Sequence, residues 1–569
     1  MIEELQRVLS VAVSATCDEL PEGFSVQVDA STDFRFGDYQ SNAAMVLAKR
    51  LKKNPRELAT KLIEVMDLGG LADVDIAGPG FINFRIRKTT WSRCVTDLWC
   101  DDRLGVPLAE PAQTIVVDFS APNVAKPMHV GHIRSTIIGD SLARIARFLG
   151  HEVITDNHIG DWGTQFGMII HGWKTVLDHD ALQADPVAEL LRVYRAVNAE
   201  CGDDDAVRET CKQELVKLQG GDTENLAIWE KCVALSKQGL QGIYDRLNVQ
   251  FDYWYGESFY NDRLAPLVDE MIEVGVARES EGAICVFFDD DPKMADKPAI
   301  VRKADGGFLY ATTDLATIDF RVEEWNADQI LYVVGAPQQL HFQQIFEATR
   351  KRGLNPSMHH VAFGSILGED RKLMKTRSGD NVQLVDVLDE AVERASKVIA
   401  EKNPEMEVEE REQVAVIVGL GAVKFAELSQ HRMTDYVFSW DRMLALQGDT
   451  APYLQYSYVR VRSIFRKLGD GVELDGAAIQ IEDDAEVHLA RALLRFGETV
   501  PSLLDDFRPN LLANYLLDLA KAFHSFFEAC PVLKSEGATQ NTRLVLCELT
   551  SRVLKQGLGL LGIGVPERM

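Results

Sequence analysis

The sequence predicts a three-part α/β protein, in which a central domain on a parallel sheet follows an α+β domain and precedes an all-helical bundle. Strand-like and helical segments alternate from about residue 109 to 405, which is typical of a parallel sheet with crossover helices. After residue 405 the apolar residues recur only at helical spacing. Residues 1–108 mix short helical patterns with strand-like runs. The predicted domains are therefore 1–108, 109–405 and 406–569.

The length and composition agree with a globular protein of several domains. At about 100 to 200 residues per domain, 569 residues form more than one compact unit. The 46% apolar and 26% charged residues exclude a collagen, a disordered acidic chain and a coiled-coil rod. The formal net charge of -27 repels polyanions on average, so any nucleic-acid contact must rest on local basic surfaces.

The first part of the chain contains two strand-like runs, Phe24–Val28 and Phe81–Ile86, and ends at a boundary near residues 105–111, where two prolines precede an apolar run. The N-terminus has acids around a short apolar stretch, unlike a signal peptide, and no apolar run approaches the ~20 residues of a membrane span. Nine irregularly spaced cysteines without a C-x-x-C pair indicate neither a disulfide framework nor a structural zinc. We expect a cytoplasmic protein with no membrane partner.

The central part begins with a buried strand at Ile115–Asp118, followed by a helix and a second strand at Val153–Asp156. A third strand, Gln329–Val334, precedes another helix. Between them, at about 170–250, an acid-rich and largely helical pattern predicts an inserted helical segment. The last part shows helical periodicities at 414–428, 450–467, 485–498, 510–530 and 541–561. It is expected to contain helices only.

The most specific motif is VDFSAPNVAKPMHVGH at residues 117–132. It places a loop between the strand that ends at Asp118 and a helix that begins near His129. Such a junction lies at the carboxyl edge of a parallel sheet, where helix amides and the helix dipole favour an anion. Gly131 allows a nucleotide to approach the backbone closely. The imidazoles of His129 and His132, one turn apart, are able to donate to phosphate oxygens.

The charge around this motif is unusual for an acidic protein. Residues 120–138 include Lys126, Arg134 and both histidines but no acid, which predicts a local positive field. Capping and core packing are the alternative roles for His129 and His132. The position of H-x-G-H after a buried strand, within an acid-free loop, favours phosphate binding.

This segment resembles the nucleotide-binding signature of the class I aminoacyl-tRNA synthetases. Further segments narrow the resemblance to the bacterial arginyl-tRNA synthetase family: GDYQSNAAMVLAKRLKK at 37–53, GPGFINF at 78–84, SAPNVAKPMHVGHIRSTIIGD at 120–140, DNHIGDWGTQFGMII at 156–170 and DTAPYLQYSYVRVRSI at 449–464. The resemblance covers nearly the whole chain. It implies a Rossmann-like catalytic domain, an additional N-terminal domain that contacts tRNA, and a helical anticodon-binding domain. It also implies activation of L-arginine by ATP with Mg²⁺, followed by transfer to the terminal ribose of tRNA(Arg).

The resemblance also assigns catalytic and ATP-binding residues. His129 and His132 would stabilise charge on the ATP phosphates during in-line attack by the arginine carboxylate, with Gly131 beside them. The second phosphate loop of the class is represented by the irregular segment LMKTRSG at 373–379. This segment leaves open whether Lys375 or Arg377 contacts the phosphates. Lys126, which precedes the first motif, is expected to compensate.

Recognition of arginine needs acceptors, because a guanidinium offers five donors in one plane. By resemblance, the arginine pocket contains Asp118, Asn123, His132, Tyr310, Asp314 and Gln338. Asp118 lies in an apolar strand, where a carboxylate is costly to bury unless it is paired, so a bound cation is its expected partner. The alternative role for Asp314 is a helix N-cap.

Contacts with tRNA are expected in two places. Between Thr450 and Gly469 the chain has tyrosines and basic residues but no acid, which suits stacking on unpaired bases and contact with phosphates. By resemblance, the tRNA contacts are Tyr453, Tyr456 and Arg460 in the bundle, and Phe81 and Asn83 at the tRNA elbow. Core packing is the alternative for Phe81. No obligate protein partner is indicated, so a monomer is expected.

Two other functions stay open at this point. Small-molecule nucleotidyltransferases also use H-x-G-H at such a sheet edge, but this function would leave the first and last domains without a role. The other is a tRNA-binding relative that has lost activity. The presence of Asn123, His129, His132, Tyr310, Asp314 and Gln338 argues against that loss.

Overall fold

The structure is a computed structural model that describes residues 1–17, 20–21, 23–31, 34–368, 370–372, 374, 382–469, 473–474 and 476–569. These residues group into two compact units. The first contains residues 1–105, 464–496 and 521–550, and the second contains residues 106–463, 497–520 and 551–569. Segments from the last third of the chain therefore belong to both units.

The first unit contains an antiparallel sheet. Its strands are β1 Asp29–Ala30, β2 Tyr39–Ser41, β3 Ala72–Ala77 and β4 Phe81–Ile86, in the order β1-β2-β4-β3. The helices of residues 1–105 are α1 Ile2–Thr16, α2 Ala43–Leu51, α3 Pro55–Val65 and α4 Lys88–Trp99. The strand predicted at Phe81–Ile86 is confirmed, but the one predicted at Phe24–Val28 is wrong. Burial does alternate along that run, yet ladder pairing begins only at Asp29, opposite Gln40.

The strands of the second unit are β5 Thr114–Phe119, β6 Glu152–Asp156, β7 Ala277–Ser280, β8 Ala283–Val286, β9 Ala299–Arg302, β10 Gln329–Val333, β11 Ser357–His360, β12 Ile366–Leu367 and β13 Tyr436–Val437. The predicted parallel sheet has the order β11-β10-β5-β6. A separate antiparallel sheet, β7-β8-β9, was not predicted. β12 pairs in parallel with β13. The expectation of helices only after residue 405 is wrong at β13, because two residues are too few to produce a periodic pattern.

The second unit also contains the predicted helical insertion. Its helices up to residue 443 are α5 Val130–Phe148, α6 Gln165–Thr175, α7 His179–Ala184, α8 Pro186–Asp203, α9 Asp205–Gln219, α10 Thr223–Leu247, α11 Asn261–Glu273, α12 Tyr310–Glu323, α13 Gln339–Lys351, α14 Leu384–Lys402, α15 Val408–Leu428 and α16 Trp440–Met443. Helices α6 to α10 form the segment expected at about 170–250.

The last third of the chain follows the predicted helical periodicities. Its helices are α17 Ala451–Leu468, α18 Asp484–Leu494, α19 Phe496–Ser502, α20 Pro509–Ala529 and α21 Gly537–Leu560. Across the described ranges, no helix combines the length and the apolar character that a membrane span requires.

The strand order of the parallel sheet creates a crevice. β5 lies between β10 and β6, and the chain leaves β5 through α5 to reach β6, so the order reverses between β5 and β10. In open parallel sheets, ligands bind outside the carboxyl ends of the strands at such a point. Asp118 lies opposite Tyr332, and Phe119 lies opposite Val333. The segments that follow these two strands therefore begin side by side.

Candidate active site

The two motif histidines form the start of α5. His129 is the N-cap, and its Nδ1 accepts the backbone N–H of Gly131 at 3.1 Å. Nδ1 of His132 accepts the backbone N–H of His129 at 3.1 Å, which completes a capping box. Nδ1 of His132 also lies 3.3 Å from the carbonyl oxygen of His129, so its role depends on the tautomer. In the tautomer that forms the shorter contact and the capping box, each Nδ1 accepts and each neutral ring carries its proton on Nε2. In the described part of the chain neither Nε2 has a partner, so capping leaves this nitrogen of each ring available to a ligand.

Burial makes both imidazoles weak bases. Burial lowers the pKa of His132, and the adjacent His129 lowers it further, to about 4. Burial also lowers the pKa of His129. The centroids of the two rings lie 4.0 Å apart. At pH 7 His132 is therefore a neutral hydrogen-bond donor, not a cation.

Gly131 makes room for the ring of His129. A Cβ atom at this position would lie 2.8 Å from Cε1 and 2.9 Å from Nδ1 of that ring, well inside ordinary contact. The helix cap therefore requires glycine here. The contact of Gly131 with ATP stays a prediction.

Arg134 does not contribute the positive charge expected of it. Its side chain is 1% exposed, and its Nε lies 3.1 Å from the buried carboxylate of Glu427 in α15. The Nη1 group donates to the carbonyl of Thr434 at 3.0 Å, and Glu427 also accepts from the Tyr436 hydroxyl. The prediction that Arg134 adds to a local positive field is therefore wrong. Arg134 is neutralised by an acid almost 300 residues away, and it ties α5 to the segment of β13.

Lys126 is the remaining cation of residues 120–138. Its Nζ lies 4.9 Å from the ring centroid of Tyr194 in α8, a cation–π geometry. Within the described residues, the ammonium makes no hydrogen bond or ion pair. The contact brings the helical insertion against the loop of the motif, and the ammonium keeps its donors for a ligand.

Asp118 already has a cation as its partner. Nη2 of Arg321 lies 2.7 Å from Asp118 and 2.8 Å from Asp156, and all three side chains are buried. Burial alone would lower the pKa of Arg321, but the carboxylates raise it well above its usual value. Burial raises the pKa of Asp156 even beside this cation. The guanidinium of Arg321 therefore supplies the positive charge beside Asp118 that was predicted to come from a bound cation.

The other predicted arginine-binding residues lie along α12 and at the start of α13. Leu309 is the N-cap of α12, so the alternative of an Asp314 N-cap is wrong. Tyr310 begins the helix and is 61% exposed. Oδ2 of Asp314 lies 2.5 Å from Nε2 of His341 in α13, and Gln338 is exposed just before that helix. The structure thus brings Tyr310 and Asp314 together around His341.

Asn123 lies in the loop after β5, against the segment after β6. It forms an isolated parallel bridge with Gly160, and a Cβ at Gly160 would lie 2.2 Å from the Asn123 side-chain oxygen. The close approach requires glycine at 160 and fixes Asn123 on the surface at the carboxyl edge of the sheet.

Lys375 and Arg377 lie outside the described residues, so both assignments stay predictions. Elsewhere, in the ranges that the structure describes, no group of three or more His, Cys, Asp or Glu side chains is arranged to hold a metal ion.

The predicted tRNA contacts differ in their access to solvent. Tyr453, Tyr456 and Arg460 share one face of α17 by their spacing, and Tyr456 is 46% exposed. Phe81 is half-buried at the start of β4. Asn83 is only 3% exposed, which argues against a contact between its amide and an RNA base.

Two residues of the site, Arg321 and His341, were not predicted from the sequence. Arg321 follows Asp314 by seven residues and so shares its helix face, while His341 follows Gln338 by three residues. These spacings could have placed Arg321 and His341 near predicted site residues. Neither spacing indicates which residue of another helix or strand the side chain contacts.

Three family models match consecutive parts of the chain. The model for the arginyl tRNA synthetase N terminal domain matches residues 3–86. The model for the catalytic domain of class I (R) tRNA synthetases matches residues 94–440. The model for the DALR anticodon binding domain matches residues 454–569.

Individual relatives are similar over the full length. The chain is 47% identical to the arginine–tRNA ligase of Cellvibrio japonicus, over 99% of each chain. It is 48% identical to the arginine–tRNA ligase of Thermobifida fusca, over 94% of each chain. The crystal structure of arginyl-tRNA synthetase from Plasmodium falciparum aligns with a TM-score of 0.84 and 27% identity, over 100% of this chain and 99% of that one.

Proposed function

Because this chain belongs to the arginyl-tRNA synthetase family, we infer that it is an arginine–tRNA ligase. The carboxylate of L-arginine attacks the α-phosphate of ATP, which forms arginyl-adenylate and releases diphosphate. A hydroxyl of the 3′-terminal ribose of tRNA(Arg) then attacks the arginyl carbonyl and releases AMP. The observation that supports this chemistry most directly is the pair of Nε2 atoms at the start of α5 that have no partner among the described residues. They lie where the segment after β5 meets the crevice.

The proposed role of the histidines is to stabilise charge that builds up on the phosphates as diphosphate leaves. His129 and His132 donate from Nε2, and a neutral donor with a low pKa does this without a proton transfer. Lys126 supplies positive charge, and either Lys375 or Arg377 of the second loop is predicted to contact the phosphates. ATP binds as its magnesium complex, in which the phosphates provide the main oxygen ligands.

The proposed arginine pocket lies beside that phosphate site. Asp314 accepts from the guanidinium, and Tyr310 and Gln338 add acceptors from the same two helices. Asn123 and His132 face the amino and carboxylate end of the substrate. Asp118 completes the pocket from β5 while Arg321 holds its carboxylate in place.

The proposed tRNA surfaces belong to the first and last parts of the chain. Residues 1–108 contact the tRNA elbow, with Phe81 as the stacking residue, and residues 406–569 read the anticodon region through Tyr453, Tyr456 and Arg460. Residues 109–405 carry the chemistry. We propose that the enzyme works as a cytoplasmic monomer with no obligate protein partner.

Charging of tRNA(Arg) with radiolabelled amino acids tests this function. Arginine should become acid-precipitable with the tRNA, whereas lysine and glutamine should not, because the pocket offers carboxylate oxygens to a planar cation. Nucleotide transfer to a small molecule without any tRNA charging would favour a nucleotidyltransferase. Tight tRNA binding without either reaction would favour an inactive relative.

A further inference from the structure

A histidine holds the carboxylate of Asp314 from the neighbouring helix. Nε2 of His341 lies 2.5 Å from Oδ2 of Asp314, and the two side chains are only 11% and 20% exposed. The ring of Tyr310 lies against the imidazole, with their centroids 4.7 Å apart. The imidazole is therefore fixed by a hydrogen bond on one side and by an aromatic contact on the other.

This contact occupies one of the two carboxylate oxygens of Asp314 and leaves the other open. An ionised carboxylate only accepts, so the Nε2–H of His341 donates to Oδ2. Among the described residues, no group donates to Oδ1. His341 therefore removes the rotational freedom of the Asp314 side chain and leaves one oxygen open to a ligand in a defined direction.

A fixed acceptor suits a guanidinium better than a mobile one. The guanidinium donates along fixed directions in one plane, and each side chain that binding must immobilise costs affinity. We propose that His341 is a positioning residue for arginine recognition, which orients Asp314 so that Oδ1 accepts from the substrate guanidinium. Tyr310 supports it by packing on the imidazole. This inference rests on the proposed role of Asp314 in the arginine pocket.

The split between the two substrates tests the proposal. His341→Ala should raise the KM for arginine by about tenfold, the worth of a hydrogen bond to a charged group, while the KM for ATP changes by less than about twofold. His341→Gln, which keeps an N–H donor, should recover much of the loss. Gln343→Ala, an exposed position on the same helix, is the matched control and should behave as wild type. An unchanged arginine KM in His341→Ala, or equal losses for both substrates, would overturn the proposal.

A double variant separates this inference from the function on which it rests. If His341 acts through Asp314, adding His341→Ala to Asp314→Asn should raise the arginine KM no further. Full additivity of the two losses would overturn the positioning role and leave the pocket intact. If Asp314→Asn itself binds arginine as tightly as wild type in calorimetry, the assigned pocket is wrong, and the proposal for His341 falls with it.

Discussion

Replacing Gly131 by alanine should separate catalysis from folding. The new Cβ would lie 2.8 to 2.9 Å from two atoms of the His129 ring, so the ring must move by roughly 1 Å to reach an ordinary contact distance of about 3.5–4.0 Å. It would then lose the N–H of residue 131 as the donor to Nδ1. The loss of an N-cap costs about 1 kcal/mol, whereas alanine in place of glycine gains about 0.5–1 kcal/mol in a helix. The free energy of unfolding should therefore change by less than about 1 kcal/mol.

The effect on the reaction should be much larger. A misplacement of about 1 Å in a catalytic group costs on the order of 10² in rate, and His129 is displaced directly. We expect adenylate formation by Gly131→Ala to fall about 10²-fold in arginine-dependent ATP–pyrophosphate exchange, measured with and without tRNA. Urea unfolding should report near-native stability. Gly242→Ala is the matched control, because a Cβ there meets nothing within 4 Å in α10. A wild-type exchange rate in Gly131→Ala would show that the position of the His129 ring does not control adenylate formation.

Three further predictions follow from buried and exposed charges. Nuclear magnetic resonance should give His132 a pKa of about 4. The unfolded chain binds this proton below about pH 6.5, whereas the folded chain binds it only below about pH 4. The free energy of unfolding should therefore fall by up to about 3 kcal/mol as the pH drops from about 6.5 to 4. This part of the pH dependence should be absent in His132→Ala. Arg321→Met should lower the free energy of unfolding in urea by about 3–5 kcal/mol, because it leaves two buried carboxylates without a cation. Arg263→Met removes a partly exposed ion pair and should cost at most about 1 kcal/mol. Similar losses in both variants would contradict the role of Arg321 in neutralising these carboxylates. Arg460→Ala should reduce the salt slope of tRNA binding by about one, and an unchanged slope would remove it from the interface.

Local patterns predicted the elements that frame the site. The apolar spacing after His129 predicted α5, and the alternation of strands and helices predicted the parallel sheet. Both predictions succeeded because the spacing of apolar residues within a segment indicates whether that same segment is a helix or a strand. The same kind of signal failed at Phe24–Val28, where alternating burial occurs without strand pairing.

The partners of the site residues could not be predicted in this way. Asp118 meets Arg321 across 203 residues, and Asp314 meets His341 across 27. Arg134 shows the consequence most clearly, because its acid-free surroundings in the sequence hide a buried ion pair with Glu427. The charged residues near a position in the sequence therefore do not determine the electrostatic field around it in the folded protein. Packing between distant elements decides which charged groups are neutralised.

We propose that the crevice at the start of α5 activates arginine with ATP. Arginine-dependent ATP–pyrophosphate exchange, with tRNA(Arg) present, tests it most directly. We predict rapid exchange with arginine and exchange about 10⁴ to 10⁵ times less efficient with citrulline, which keeps the shape but not the charge. His132→Ala should slow exchange by about 10² to 10³. Exchange that does not depend on arginine, or that proceeds at the wild-type rate in His132→Ala, would contradict the claim.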